Sequence, residues 1–216
     1  MPMIDVPTTA VELCPAGTYV GRCCRLVDMG TQVSAYQGTE RSRRVLSLSF
    51  EILDDEVRRS DGTPFVVSRR FTLSFHEKAG LRGLLETWLQ RPVTNSRQFD
   101  TDEVIGRFGL VTINHTARND ATWANVATVV PLPRGMAKPG PVNEALVYGV
   151  NFSGDDVLAR LPEMMQEAIK SSPEYAVRSK GAPRSAAKPA SKPADDGYDD
   201  FDPTQYAPAG EAEVEL

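Results

Sequence analysis

The chain has 216 residues, 24 Lys+Arg against 29 Asp+Glu, a formal charge of −5 and a pI of about 5.2. That length suits one domain with an extension. No run of 18 apolar residues marks a membrane span, "MPMIDVPTTAVELCPAG" lacks the basic start of a secretory signal, and three cysteines make no disulfide framework, which suits a reducing cytosol.

The charge is uneven. Residues 181–216 hold eight acids and three bases (Arg184, Lys188, Lys192), which leaves 21 of each in residues 1–180. An electroneutral body with an acidic tail can still present a basic groove.

Residues 1–16 read as an irregular arm. A strand pattern begins at "GTYVGRCCRLVDMG" (17–30), and "TQVSAYQGTERS" (31–42) reads as a long polar loop. In "RRVLSLSFEIL" (43–53), Leu46, Leu48, Phe50 and Ile52 alternate with Val45, Ser47, Ser49 and Glu51, the period of a half-buried strand. "RRSDGTP" carries an Asp-Gly turn signal. "FVVSRRFTLSF" (65–75) alternates again, with Ser68, Arg70, Thr72 and Ser74 on its outward face.

The period then changes. Leu81, Leu84, Leu85, Trp88 and Leu89 make one helix face within residues 74–92. Ser74 with Glu77 fits a capping box, and Pro92 stops the helix. "RFGLVTINHT" (107–116) and "WANVATVVPL" (123–132) are two more strands, followed by a Pro/Gly-rich connector over 131–143. "NFSGDDVLARLPEMMQEAIKSSPEY" (151–175) reads as one or two helices, with Ser153 and Asp156 fitting a second capping box and Pro162 starting the second helix. These helices either pack on their own barrel or pair two chains into a homodimer. Residues 179–193 are an Ala/Pro/Lys/Ser linker.

Strand–strand–strand–helix–strand–strand is the order of the OB-fold, a five-stranded barrel with its helix between strands three and four. The expected organisation is an arm (1–16), an OB-fold domain with C-terminal helices (17–178), and a linker with an acidic tail (179–216).

Signals of catalysis are thin. No phosphate loop, dinucleotide fingerprint or GxSxG is present. His76 at a helix start and His115 at a strand end read as surface residues. Cys23 and Cys24, adjacent on a strand, point to opposite faces and share no zinc, so one reads as core and the other as surface.

The bases say more. An OB-fold receives single-stranded nucleic acid on strands two and three and on the loops joining strands 1–2 and 4–5. At those places stand Tyr36, Arg41, Arg43, Arg44, Arg70, Thr72, Arg118 and Trp123. Rings stack on bases while cations follow phosphates. Trp123 has a second reading as a cap on the barrel; Trp88, Phe71 and Phe75 read as core.

The blocks "PAGTYVGRCCRLVDMGTQ" (15–32), "FTLSFHEKAGLRGLLETW" (71–88), "ANVATVVPLPRGM" (124–136) and "SPEY" (172–175), in this order, resemble the single-stranded DNA-binding proteins of tailed bacteriophages. The resemblance spans about residues 15–176 and rests on the set of blocks, none of which is a catalytic signature. It implies an OB-fold that coats single-stranded DNA in phage replication or recombination, in the cytoplasm of the infected host, with no cofactor; the expectation of no metal and no enzymatic activity comes from the thin catalytic signals above. It supplies no binding motif to transfer residue by residue. It also implies a role for "DDGYDDFDP": Asp195, Asp196, Tyr198, Asp199, Asp200, Phe201 and Asp202 would recruit replication or recombination proteins. The alternative is an OB-fold module that binds polypeptide and no DNA.

Overall fold

The computed structural model describes residues 12–36, 39–93, 100–118 and 121–179, with residues 35, 36, 39 and 118 described by their backbone alone. The predicted linker, the acidic tail and most of the N-terminal arm lie outside the described residues.

Six strands form one sheet that is antiparallel except for its last member. They are β1 (Gly17–Tyr36), β2 (Thr39–Ile52), β3 (Val66–Thr72), β4 (Phe108–Arg118), β5 (Ala121–Pro131) and β6 (Leu146–Gly149). The order is β3-β2-β1-β4-β5, with β6 parallel to residues 25–28 of β1. Residues 17–22 of β1 pair with β4 and residues 25–28 with β6, while β2 runs along its other edge from residue 21 to residue 36. α1 (Gly80–Leu89) and a 3-10 turn (Thr101–Glu103) lie between β3 and β4; α2 (Asp155–Leu158), α3 (Glu163–Lys170) and α4 (Pro173–Ser179) follow β6. Among the described residues no helix is long and apolar enough to cross a membrane.

The main core lies on the face of β2 that carries Leu46, Leu48, Phe50 and Ile52, which meet Leu81, Leu84, Leu85 and Trp88 of α1 and Val111, Ile113, Val126 and Val129 of β4 and β5. Trp88 is fully buried, lies edge-on to Phe50 with ring centroids 5.4 Å apart, and donates its indole N–H to Phe108 O at 3.1 Å. Gly109 makes room for it: a Cβ there would stand 2.7 Å from Trp88 Nε1.

A second core lies on the opposite face of β1 and β2. Val27, Met29 and Val45 pack against Leu146, Tyr148 and Val150 around β6, and against Leu158, Leu161, Met165 and Ile169 of the helices. The C-terminal helices therefore pack on their own sheet.

This second layer overturns several sequence expectations. Both faces of β2 are covered, so Ser47, Ser49 and Glu51 are fully buried. Cys24, expected at the surface, is buried like Cys23 and sits 3.5 Å from Ser49 O. β6 was not anticipated. The polar stretch 31–42 is no loop: β1 and β2 continue to the Tyr36↔Thr39 pair as a two-stranded ribbon. Neither capping box forms. Ser74 Oγ accepts from His76 N while α1 begins at Gly80 behind an extended Ala79, and Ser153 Oγ accepts from Gly149 N while Gly154 caps α2. Pro162 is the cap before α3.

The expected closed five-stranded barrel is also revised, because the ladder stays open. Among the described residues no backbone hydrogen bond joins β3 to β5, although the two edges lie side by side. The Arg69 side chain bridges them, donating Nη1 to Val126 O at 3.0 Å and Ala127 O at 2.7 Å from above the Phe71 ring.

Candidate nucleic-acid interface

Side chains alternate between the faces of a strand. On β2 this puts Arg41, Arg43, Val45, Ser47 and Ser49 on the face opposite the main core; Val45, Ser47 and Ser49 are buried beneath the second layer, and Arg41 and Arg43, only partly buried, continue that face along the ribbon. The register then places Arg25 beside Ser49, and Thr72, Arg70 and Ser68 beside Val45, Ser47 and Ser49. Four of the predicted site residues, Arg41, Arg43, Arg70 and Thr72, thus share one face of three adjacent strands. Arg25 joins them; sequence reasoning left it out of the site because a base on a first strand has no local mark of the face it takes.

Arg44 falls on the other face. Its Nε donates to Asp28 Oδ1 at 3.1 Å and its Nη2 pairs with Asp28 Oδ2, so the guanidinium is held at both ends. These bonds push its pKa up, against the opposing effect of burial. Arg44 is a structural cation.

The remaining arginines separate in the same way. Arg22, Arg58, Arg59, Arg82, Arg91, Arg160 and Arg178 each meet a carboxylate. Arg25, Arg41 and Arg43 meet none among the described residues. Among the described residues, Arg25, Arg41 and Arg43 thus bring three cations without a carboxylate partner onto one face.

The same face carries two orphan hydroxyls. Ser47 Oγ and Thr72 Oγ1 are buried with no hydrogen-bond partner among the described residues. The ladder puts them diagonally across β2 and β3, Thr72 opposite Val45 and Ser47 opposite Arg70. Their neighbours Ser49 and Ser68 satisfy each other at 2.8 Å.

Trp123 is 43% exposed, which rejects the barrel-cap reading. It pairs with Thr116 on the β4–β5 hairpin, three residues along β5 from the Val126 carbonyl that Arg69 holds. Arg118 ends β4 opposite Ala121, and Tyr36 ends β1 opposite Thr39; their side chains lie outside the described residues, as do Asp195 to Asp202. His115 Nε2 is 2.8 Å from Cys14 O and ties the arm to β4. His76 is exposed at the turn before α1.

Compared with protein-family models, with curated proteins and with solved structures, the chain matches none.

Proposed function

We propose that this chain is a non-enzymatic, sequence-independent single-stranded DNA-binding protein of the bacteriophage type, acting in replication or recombination in the cytoplasm of an infected cell. The single observation that carries the reading is the placement of Arg25, Arg41 and Arg43, without acidic partners among the described residues, on one face of β1 and β2, while seven other arginines each meet a carboxylate. Phosphates need cations that are not already neutralised. Bases need a ring, and Trp123 offers one half-exposed.

Strand order and helix position support an OB-type sheet whose β3–β5 seam is left open. In this reading the ribbon corresponds to the long connection between strands one and two, and the β4–β5 hairpin to the second flanking element. The acidic-aromatic segment around Tyr198 and Phe201 recruits protein partners through its rings.

Titration of labelled oligo-dT against salt tests the proposal. Each neutralised phosphate on a single strand contributes a slope of about −0.7 in log K against log salt, so three cations give about −2. Undetectable affinity at low salt would leave the polypeptide-binding module as the better reading.

A further inference from the structure

The ribbon that carries Arg41 and Arg43 stands on a built joint. Between Asp28 and Thr31 the β1–β2 register slips. Gly30 takes φ +73° there, and a Cβ on it would fall 2.7 Å from Ser172 Oγ. A two-stranded ribbon is marginal in water by itself, so its direction depends on what holds this slip.

Three side chains hold it. Glu174, in the first turn of α4, accepts the Thr31 amide on Oε2 at 2.8 Å and the Thr31 hydroxyl on Oε1 at 2.6 Å. Gln32, buried, donates Nε2 to Met29 O and to Ala168 O of α3, both at 2.8 Å. Asp28 accepts the Gly30 amide at 3.1 Å and grips Arg44. Burial acts to raise the Glu174 pKa, yet the bonds from Thr31, together with its own backbone amide and the nearby Arg44, outweigh it and hold the carboxyl below its usual range. Both carboxylate oxygens are thus spent on one residue. Two bonds to Thr31 fix its orientation as well as its position, whereas a single bond leaves a pivot.

We propose that Glu174 is a positioning residue for nucleic-acid binding: by clamping Thr31 it sets the direction of the ribbon, and so the place where Arg41 and Arg43 meet phosphate. The inference rests on the single-stranded DNA reading and adds a control point to it. α4 ends at Ser179, and the acidic segment follows in the chain.

The test uses the full chain with Glu174→Ala, Thr31→Val, Glu174→Gln and, as a control, Glu144→Ala, which breaks only the exposed Glu144–Arg160 pair. Amide hydrogen exchange is followed over residues 32–43 and over β4–β5, and oligo-dT binding is measured across salt. Expected for Glu174→Ala and Thr31→Val is exchange about tenfold faster in the ribbon with β4–β5 unchanged. Oligo affinity falls several-fold, and the salt slope flattens by about one as phosphate contacts are lost. Glu174→Gln keeps one acceptor and lies between; Glu144→Ala matches wild type. Should Glu174→Ala fail to fold, Thr31→Val decides, since it keeps the β-branched shape and loses only the hydroxyl. Unchanged ribbon exchange in a folded variant overturns the clamp. A loosened ribbon with unchanged affinity overturns its role in binding. A wild-type chain that binds no oligo-dT overturns the DNA reading and with it the binding role, while the exchange measurement still upholds or overturns the clamp.

Discussion

Arg22 Nε meets Glu51 Oε1 at 2.6 Å, and Glu51 is fully buried. The second carboxylate oxygen accepts both the amide and the side-chain NH₂ of Asn143, each at 2.8 Å, while Arg22 Nη2 donates to Asn143 O. One ion pair in β1 and β2 thereby fastens the segment that leads into β6, and with it the second layer over the sheet.

Breaking that pair from one side is expected to be severe. Glu51→Ala leaves a desolvated guanidinium without its partner and costs about 3–5 kcal/mol. Replacing both members, as Arg22→Met with Glu51→Leu, returns most of this, because apolar residues of similar volume replace a buried pair at little net cost. Urea unfolding of the two variants checks the difference.

Arg41 and Arg43 are expected to act on binding and Arg44 on the fold. The double change Arg41→Ala with Arg43→Ala flattens the oligo-dT salt slope by about 1.4, two contacts at about 0.7 each, with the melting temperature kept. Arg44→Ala leaves the slope in place and lowers stability by about 1 kcal/mol or less, since the guanidinium is 35% exposed and solvent screens the pair. A slope change from Arg44→Ala alone, in a folded protein, would put phosphate on the other face of the ribbon.

The two tryptophans report separately. Trp88 is fully buried and Trp123 is 43% exposed. Acrylamide is expected to quench Trp123 and spare Trp88, and oligo-dT to quench the same ring that acrylamide reaches. Trp123→Ala costs about 1–3 kcal/mol in binding with little change in unfolding midpoint; Trp123→Phe keeps much of the affinity because a ring face remains.

Burial pushes the Cys14 and Cys24 thiols up to about 11 and Cys23 further up. In the unfolded chain a thiol titrates at about 8.5. The raised native values contribute stability that is fully present below that pH and is lost as pH rises through the native values. Unfolding midpoints are expected to drop progressively above about pH 8.5, with a shallower drop in Cys24→Ala. At pH 8 the folded protein resists thiol labelling, and denaturant exposes all three cysteines.

The sequence announces what is local. The offsets of Leu81, Leu84, Leu85, Trp88 and Leu89 define the buried face of α1, and the alternation in β2 defines the side that meets them. Placing Arg41, Arg43, Arg70 and Thr72 on one face needs only the same alternation, and Arg44 follows on the other because it is one residue from Arg43. What covers the remaining face is not local. Ser47, Ser49 and Cys24 carry no sign that a segment about a hundred residues later will fold over them. Thr31 and Glu174 are 143 residues apart, and neither stands in a motif. The ribbon was hidden for a different reason: its polar composition matches a loop, and only the paired register shows a strand.

The open seam has a consequence for crowded solutions. Strand edges with bare amides and carbonyls invite pairing with another copy and growth into aggregates. Here a guanidinium lies over the β5 edge, holding the carbonyls of Val126 and Ala127 while it rests on the Phe71 ring. An approaching strand would have to displace a charge from two oxygens and an aromatic face before its first bond could form. Arg69 thus raises the cost of adding a strand at the place where this sheet forgoes self-closure.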